Sequence, residues 1–222
     1  MIQDLDLATL IARAVVLLIA FTIHELAHAV TADYLGDSTP RSQGRISLNP
    51  IVHLDPIGTI MLLVTGFGWA KPVMVNPYRM RGDPRISMGI VAAAGPISNI
   101  VMAVAAAVPM QLFMEPVTRG SGIIPTPSFL LGQFVFINLI LAFFNLIPVP
   151  PLDGSRILAA LLPPNLAHYV IELERHGFLI ILGIIFVLPM IGLNVLGVAV
   201  FQPSAYLYQL LTGQSLVWLF YG

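Results

Sequence analysis

The chain of 222 residues contains no cysteine. It can form no disulfide, supply no thiolate nucleophile and build no all-cysteine zinc site, so any metal must be held by His, Asp or Glu. Charge is nearly as scarce: ten Lys and Arg against eleven Asp and Glu make up 9% of the sequence and leave a formal net charge of −1, whereas soluble domains carry about 25% charged residues. There is no basic field for nucleic acid and no acidic tail, which excludes nucleic-acid binding and means that each charge must be read singly. The sequence also lacks internal repeats, low-complexity tracts and any polar linker long enough to join a further domain, so residues 1–222 read as one membrane-embedded domain. The opening MIQDLDLATLIARAVV has no positive n-region and no small-residue cleavage site, and its apolar run reads as a retained helix with the mature protein starting near Met1.

What is abundant is apolar surface. Hydrophobic residues make up 57% of the chain and the mean hydropathy is +0.89, the composition of an integral membrane protein. Residues 7–30, at about 1.5 Å per helical residue, are long enough to cross a hydrocarbon core of about 30 Å. Residues 86–113, 129–148 and 178–201 are further spans, and a last apolar run, 206–221, spans or lies at the interface, where Trp218 and Tyr221 suit an aromatic belt. Residues 57–64 are too short to cross as a helix, and the surrounding GTIMLLVTGFGWAKPVMV, rich in Gly and β-branched residues, predicts a hairpin or re-entrant element. The expected fold is an all-α polytopic membrane protein of about four to six transmembrane helices, with a small membrane-associated β hairpin or sheet between the first and second spans.

Arg41, Arg45, Lys71, Arg79, Arg81 and Arg85 lie between the first two spans, and Arg156 and Arg175 between the third and fourth, with Arg119 on the opposite side. The excess of cations places those two loops in the cytoplasm and the N-terminus outside. The protein is expected in the cell membrane as a multi-pass protein, with the second half of the first span and the PVPPLDGSR stretch both towards the cytoplasmic side.

That half-span contains FTIHELAHAV, residues 21–30. On a helix His24 and His28 share a face with Cβ atoms about 5–6 Å apart, close enough to converge on one zinc ion with bonds of about 2.0–2.1 Å. Glu25 is rotated about 100° from His24 and flanks the ion, where it can take a proton from a zinc-activated water and return it to a leaving amine. The pattern fixes only three positions, and isolated helical histidines are commonly structural. In a bilayer, however, each ionisable group costs up to about 3 kcal/mol near the helix centre and generally lines a cavity or an ion pathway. An intramembrane metal or proton transporter would use such groups too, but transport has no particular need for a carboxylate next to a metal ligand, and hydrolysis does.

Catalytic zinc takes three protein ligands and keeps one position open. A candidate third ligand is Asp153, in NLIPVPPLDGSRIL, where Pro148, Pro150 and Pro151 prevent a regular helix; irregular backbone at membrane depth must be buried in protein or line water. Asp153 could equally serve as the N-cap of the helix that follows. Asp55, Glu172 and Glu174 are the competing carboxylates, none of them beside a broken helix.

The two motifs together resemble the site-2 proteases, intramembrane zinc metalloproteases of regulated intramembrane proteolysis. HELAH is similar to the family's HExxH, and the stretch from Asn145 to Gly154 to its NxxPxxxxLDG, with further likeness in NPIVHLDPIGTI, GWAKPVMVNP and AAGPISN to the compact bacterial branch. The resemblance implies one Zn2+ per chain held by His24, His28 and Asp153, with Glu25 as general base and acid. It also implies a transmembrane protein substrate that must unwind locally before cleavage. Asn145 becomes a group for substrate backbone or the oxyanion, or else satisfies carbonyls freed by the prolines. His53 approaches the site from its loop or is a surface histidine. Asn99 is read as support for helix packing, and His168 and His176 as solvated loop residues. The strand-like stretch around residues 58–75 could hold an unwound substrate by edge addition. No PDZ-like insertion or C-terminal nucleotide-sensing domain is evident, and an inactive relative is not favoured because both motifs are complete.

Overall fold

The computed structural model describes residues 7–58, 68–113, 117–118, 123–216 and 219. The principal helices are α1 (Leu7–Leu35), α2 (Pro84–Phe113), α3 (Pro127–Asn145), α4 (Asp153–Leu161), α5 (Pro164–Glu172) and α6 (Gln202–Thr212). Among the described residues, three helices, α1 to α3, are long and apolar enough to cross a membrane.

Helix ends follow local chemistry. Gly36, at φ +116°, closes α1 with Gly36 N–H donating to the Asp33 carbonyl and Asp37 N–H to the Ala32 carbonyl, the paired bonds of a Schellman ending that only a residue tolerant of positive φ permits. Helix α3 opens with Pro127 in its first turn while Thr126 Oγ1 accepts from Phe129 N–H.

Two expected spans are interrupted. The apolar run 178–201 is not one helix: helical structure over 177–190 ends in a turn at Ile191 and Gly192, the latter at φ +83°, and helical structure resumes beyond Asn194, whose Oδ1 accepts from Gly197 N–H. Hydropathy is blind to that break, because Gly192 and Pro189 hardly lower it. The run 206–221 is likewise cut when α6 stops at Gly213, φ +69°; Trp218 and Tyr221 lie outside the described residues. The expected β hairpin has no ladder among the described residues. Among the described residues the only sheet-like pairing is an isolated antiparallel bridge between Leu54 and Ala70, and residues 59–67, the middle of the expected hairpin, lie outside them. Pro72 offers no N–H, and the Lys71 and Pro72 carbonyls are taken by Arg45, so a ladder cannot continue there.

The chain divides into two compact units. One comprises residues 1–20, 99–144 and 194–222. Its core joins Ala12, Ala103 and Ala107 to Phe129, Leu139 and Tyr208, small residues allowing close helix approach. Buried Asn99 donates to Asn138 Oδ1 at 2.8 Å, and Asn138 Nδ2 donates to the Phe134 carbonyl. This places Asn99 in helix packing, as its sequence position suggests.

The other unit comprises residues 21–98 and 145–193. Ala32, Met80 and Val91 form a small core with Leu35 and Val75 packed against it. An added Cβ on Gly89 would meet Ala160 Cβ at 2.4 Å, so α2 and α4 touch there with no room for a side chain. Residues 68–76 form no helix or strand beyond the bridge at Ala70, with Val73 buried, Met74 exposed and Val75 partly buried.

Candidate metal centre

Every residue of the HELAH motif, together with Asp153, lies in the second unit. His24 Nε2 and His28 Nε2 are 3.1 Å apart, and Asp153 Oδ2 is 3.3 Å from the first and 3.4 Å from the second. Ligands bonded at about 2.0–2.1 Å in a tetrahedron stand about 3.3–3.4 Å apart along each edge. The three atoms thus form one face of a zinc-sized tetrahedron. No other group of His, Cys, Asp or Glu among the described residues converges in this way.

The donor chemistry fits a cation as well as the spacing does. His28 Nδ1 donates to the Val91 carbonyl at 2.8 Å, which fixes the tautomer with the Nε2 lone pair turned towards the other two atoms. Asp153 Oδ2 is buried without a hydrogen-bond partner, an arrangement that is costly unless something else satisfies the oxygen. Gly95 on α2 completes the cradle: a Cβ there would sit 2.4 Å from His28 Nε2 and 2.6 Å from His24 Cε1.

The sequence left Asp153 between cap and ligand. Leu152 is the N-cap of α4, in extended conformation, and Asp153 is already in the first turn with no side-chain cap bond. Its carboxylate faces the two imidazoles instead. The chain reaches this position because α3 ends at Asn145 and the first turn of α4 folds back against the proline-rich segment that precedes it: a Cβ on Gly154 would meet the Leu146 carbonyl oxygen at 2.3 Å. The competing carboxylates are engaged elsewhere. Asp55 accepts from Gly58 N–H, Glu172 pairs with exposed His168 and Glu174 with Arg156.

Glu25 is buried beside the ligands, and its Oε2 accepts from Val73 N–H at 3.2 Å. One carboxylate oxygen is held by the segment 68–76. Asn145 is half-buried at the last residue of α3. His53 is fully buried, its Nε2 bonded to the Ser47 carbonyl and its own carbonyl accepting from Lys71 N–H. It is not one of the converging metal donors, and the reading of it as a surface histidine is corrected: it ties its loop to the segment 68–76.

Sequence reasoning missed the Val73 amide, the Val91 carbonyl and Gly95. Backbone groups leave no trace in residue identity. Gly95 did leave one, a glycine within an apolar helix where any side chain costs less in propensity.

Residues 121–190 match the family model "Peptidase family M50", a stretch that contains Asn145 and Asp153. The chain is 42% identical over 182 residues to the "Putative zinc metalloprotease YwhC" of Bacillus subtilis (strain 168), covering 79% of this chain and 80% of that protein. It is 30% identical over 172 residues to the "Putative zinc metalloprotease Rip2" of Mycolicibacterium smegmatis, covering 74% of this chain and 62% of that one. It is 32% identical over 139 residues to the "Putative zinc metalloprotease MJ0611" of Methanocaldococcus jannaschii, covering 62% and 64%. No solved structure matches.

Proposed function

The chain belongs to peptidase family M50, the site-2 proteases, and from that premise we propose that it is an intramembrane zinc endopeptidase cleaving transmembrane segments of membrane-protein substrates. Membership makes it a metalloprotease that uses zinc. The observation that carries the finer reading is the triangle of His24, His28 and Asp153, two of whose members stand on α1, a helix long and apolar enough to cross a bilayer.

His24, His28 and Asp153 would hold the ion. Bound zinc supplies Lewis-acid polarisation of the scissile carbonyl and brings the pKa of a water to about 7. Glu25 takes the proton from the attacking water and delivers it to the leaving amine. Val73 N–H fixes Oε2, which leaves Oε1 for proton transfer and sets the plane of the carboxylate. Asn145, at the end of α3, would donate to substrate backbone or to the developing oxyanion.

A helical substrate hides its carbonyls in hydrogen bonds and must unwind to react. Residues 68–76 offer a surface for the unwound form: among the described residues, neither Met74 nor Val75 makes a backbone hydrogen bond, and the alternation of their side chains suits addition of a further extended chain. The positive loops argue for an active site facing the cytoplasm. The test is reconstitution in vesicles with a transmembrane substrate. Zinc-dependent cleavage within its span is expected, and zinc transport without cleavage would overturn the proposal in favour of a transporter.

A further inference from the structure

Resting on the protease reading above, we propose that Arg45 is a positioning residue for Glu25, acting through the segment 71–73. Arg45 is an isolated cation in a loop, yet only 4% exposed. One of its terminal nitrogens donates to the Val52 carbonyl, and the other to the carbonyls of Lys71 and Pro72, each at 2.5 Å. The next residue is Val73, whose N–H holds Glu25 Oε2. The guanidinium thus grips the two carbonyls immediately before the amide that orients the general base.

Its charge serves the same end. Among the described residues Arg45 has no carboxylate in direct contact, and the carboxylate whose field it feels is Glu25. A buried cation needs an anion nearby, and a buried general base needs a cation that does not bond to it directly. A direct ion pair would occupy the oxygen that has to move the proton. Arg45 instead spends its donors on carbonyls and reaches Glu25 through one intervening residue.

Other contacts of the segment fix its ends. Lys71 N–H donates to the His53 carbonyl, and Asn76 N–H to Asp37 Oδ2 at 2.6 Å. Neither bears on the two carbonyls that precede Val73. Lysine at position 45 would keep the charge but offers a point donor that cannot replace a planar fork bridging separate carbonyls.

The experiment compares wild type, Arg45→Lys and Arg45→Ala in the full chain. Bound zinc, kcat and KM on a transmembrane test substrate, and amide exchange of residues 70–76 in zinc-free protein are measured. Positioning predicts unchanged zinc stoichiometry, KM within about twofold and kcat lower by about 10- to 100-fold in both variants. It also predicts exchange at Val73 faster by about tenfold, and partial return of Arg45→Ala turnover on addition of guanidinium ion. Unchanged kcat and exchange in Arg45→Lys would overturn it. Loss of zinc in parallel with turnover, or a change in KM alone, would also overturn it, since Arg45 would then serve the fold or substrate binding. An inert wild type with zinc bound would bring down the protease reading and this inference together, whereas an active wild type with fully active variants defeats only the inference.

Discussion

Asp153 Oδ2 stands 3.3 Å from His24 Nε2 across 129 positions of sequence, buried and with no hydrogen-bond donor of its own. The contact joins the membrane helix α1 to the first turn of α4 and completes the metal face. Replacing Asp153 with Asn keeps the volume but removes the anionic oxygen. Zinc affinity should fall by more than about 100-fold, because changes one shell further out already cost about 10–100-fold. Competitive chelator titration of the purified protein measures this, with wild-type affinity in the variant as the contrary result.

Gly95→Ala adds a Cβ that would lie 2.4 Å from His28 Nε2 and 2.5 Å from its Cε1. His28 is tied to the Val91 carbonyl and cannot withdraw without losing that bond. Overpacking of this kind costs about 1–3 kcal/mol, here at a metal ligand. Zinc content and activity should both drop, while Gly183→Ala, where nothing lies within 4 Å of the added atom, leaves both unchanged.

Asn138→Leu removes the acceptor of the 2.8 Å bond from Asn99. Interhelical polar bonds in membrane proteins contribute about 0.6 kcal/mol on average and up to about 1.7. A loss of about 1 kcal/mol in unfolding free energy in detergent micelles is expected, with zinc stoichiometry unaltered.

Asp37, just beyond α1, contributes a pH dependence. Burial alone would raise its pKa, but hydrogen bonds from Asn76 N–H, the Thr39 hydroxyl and Thr39 N–H hold it below the usual 3.8. A carboxyl depressed in the folded state contributes stability that is present above its unfolded pKa and lost as pH falls through the folded one. The melting temperature of wild type should decline on acidification below about pH 4, and that of Asp37→Asn should start lower at pH 7 and decline less over the same window.

Much of the site was legible in the sequence because it rests on residue identity at helical spacing. His24 and His28 had to share a face once α1 formed, and the prolines before Asp153 had to break α3. Identity did not reveal that Leu152, rather than Asp153, caps α4, nor that an arginine counted as one more loop cation is buried against carbonyls. The spans were legible where apolar length alone decides, in α1 to α3. They failed over 178–201, because the turn at Gly192 depends on a backbone angle that hydropathy does not sense. Of the expected hairpin only residue 58 and residues 68–75 are described, and they hold no ladder beyond the Leu54–Ala70 bridge. β-rich composition measures the fitness of side chains for a sheet, but the Lys71 and Pro72 carbonyls were already committed to Arg45.

The most direct test of the account is Glu25→Gln, reconstituted with a transmembrane substrate and assayed for bound zinc and cleavage in the same preparation. The substitution keeps shape and an acceptor for Val73 N–H but cannot take a proton. One zinc per chain should be retained while cleavage falls by at least about 100-fold. Undiminished cleavage by the zinc-loaded variant would contradict the role of Glu25, and with it the mechanism.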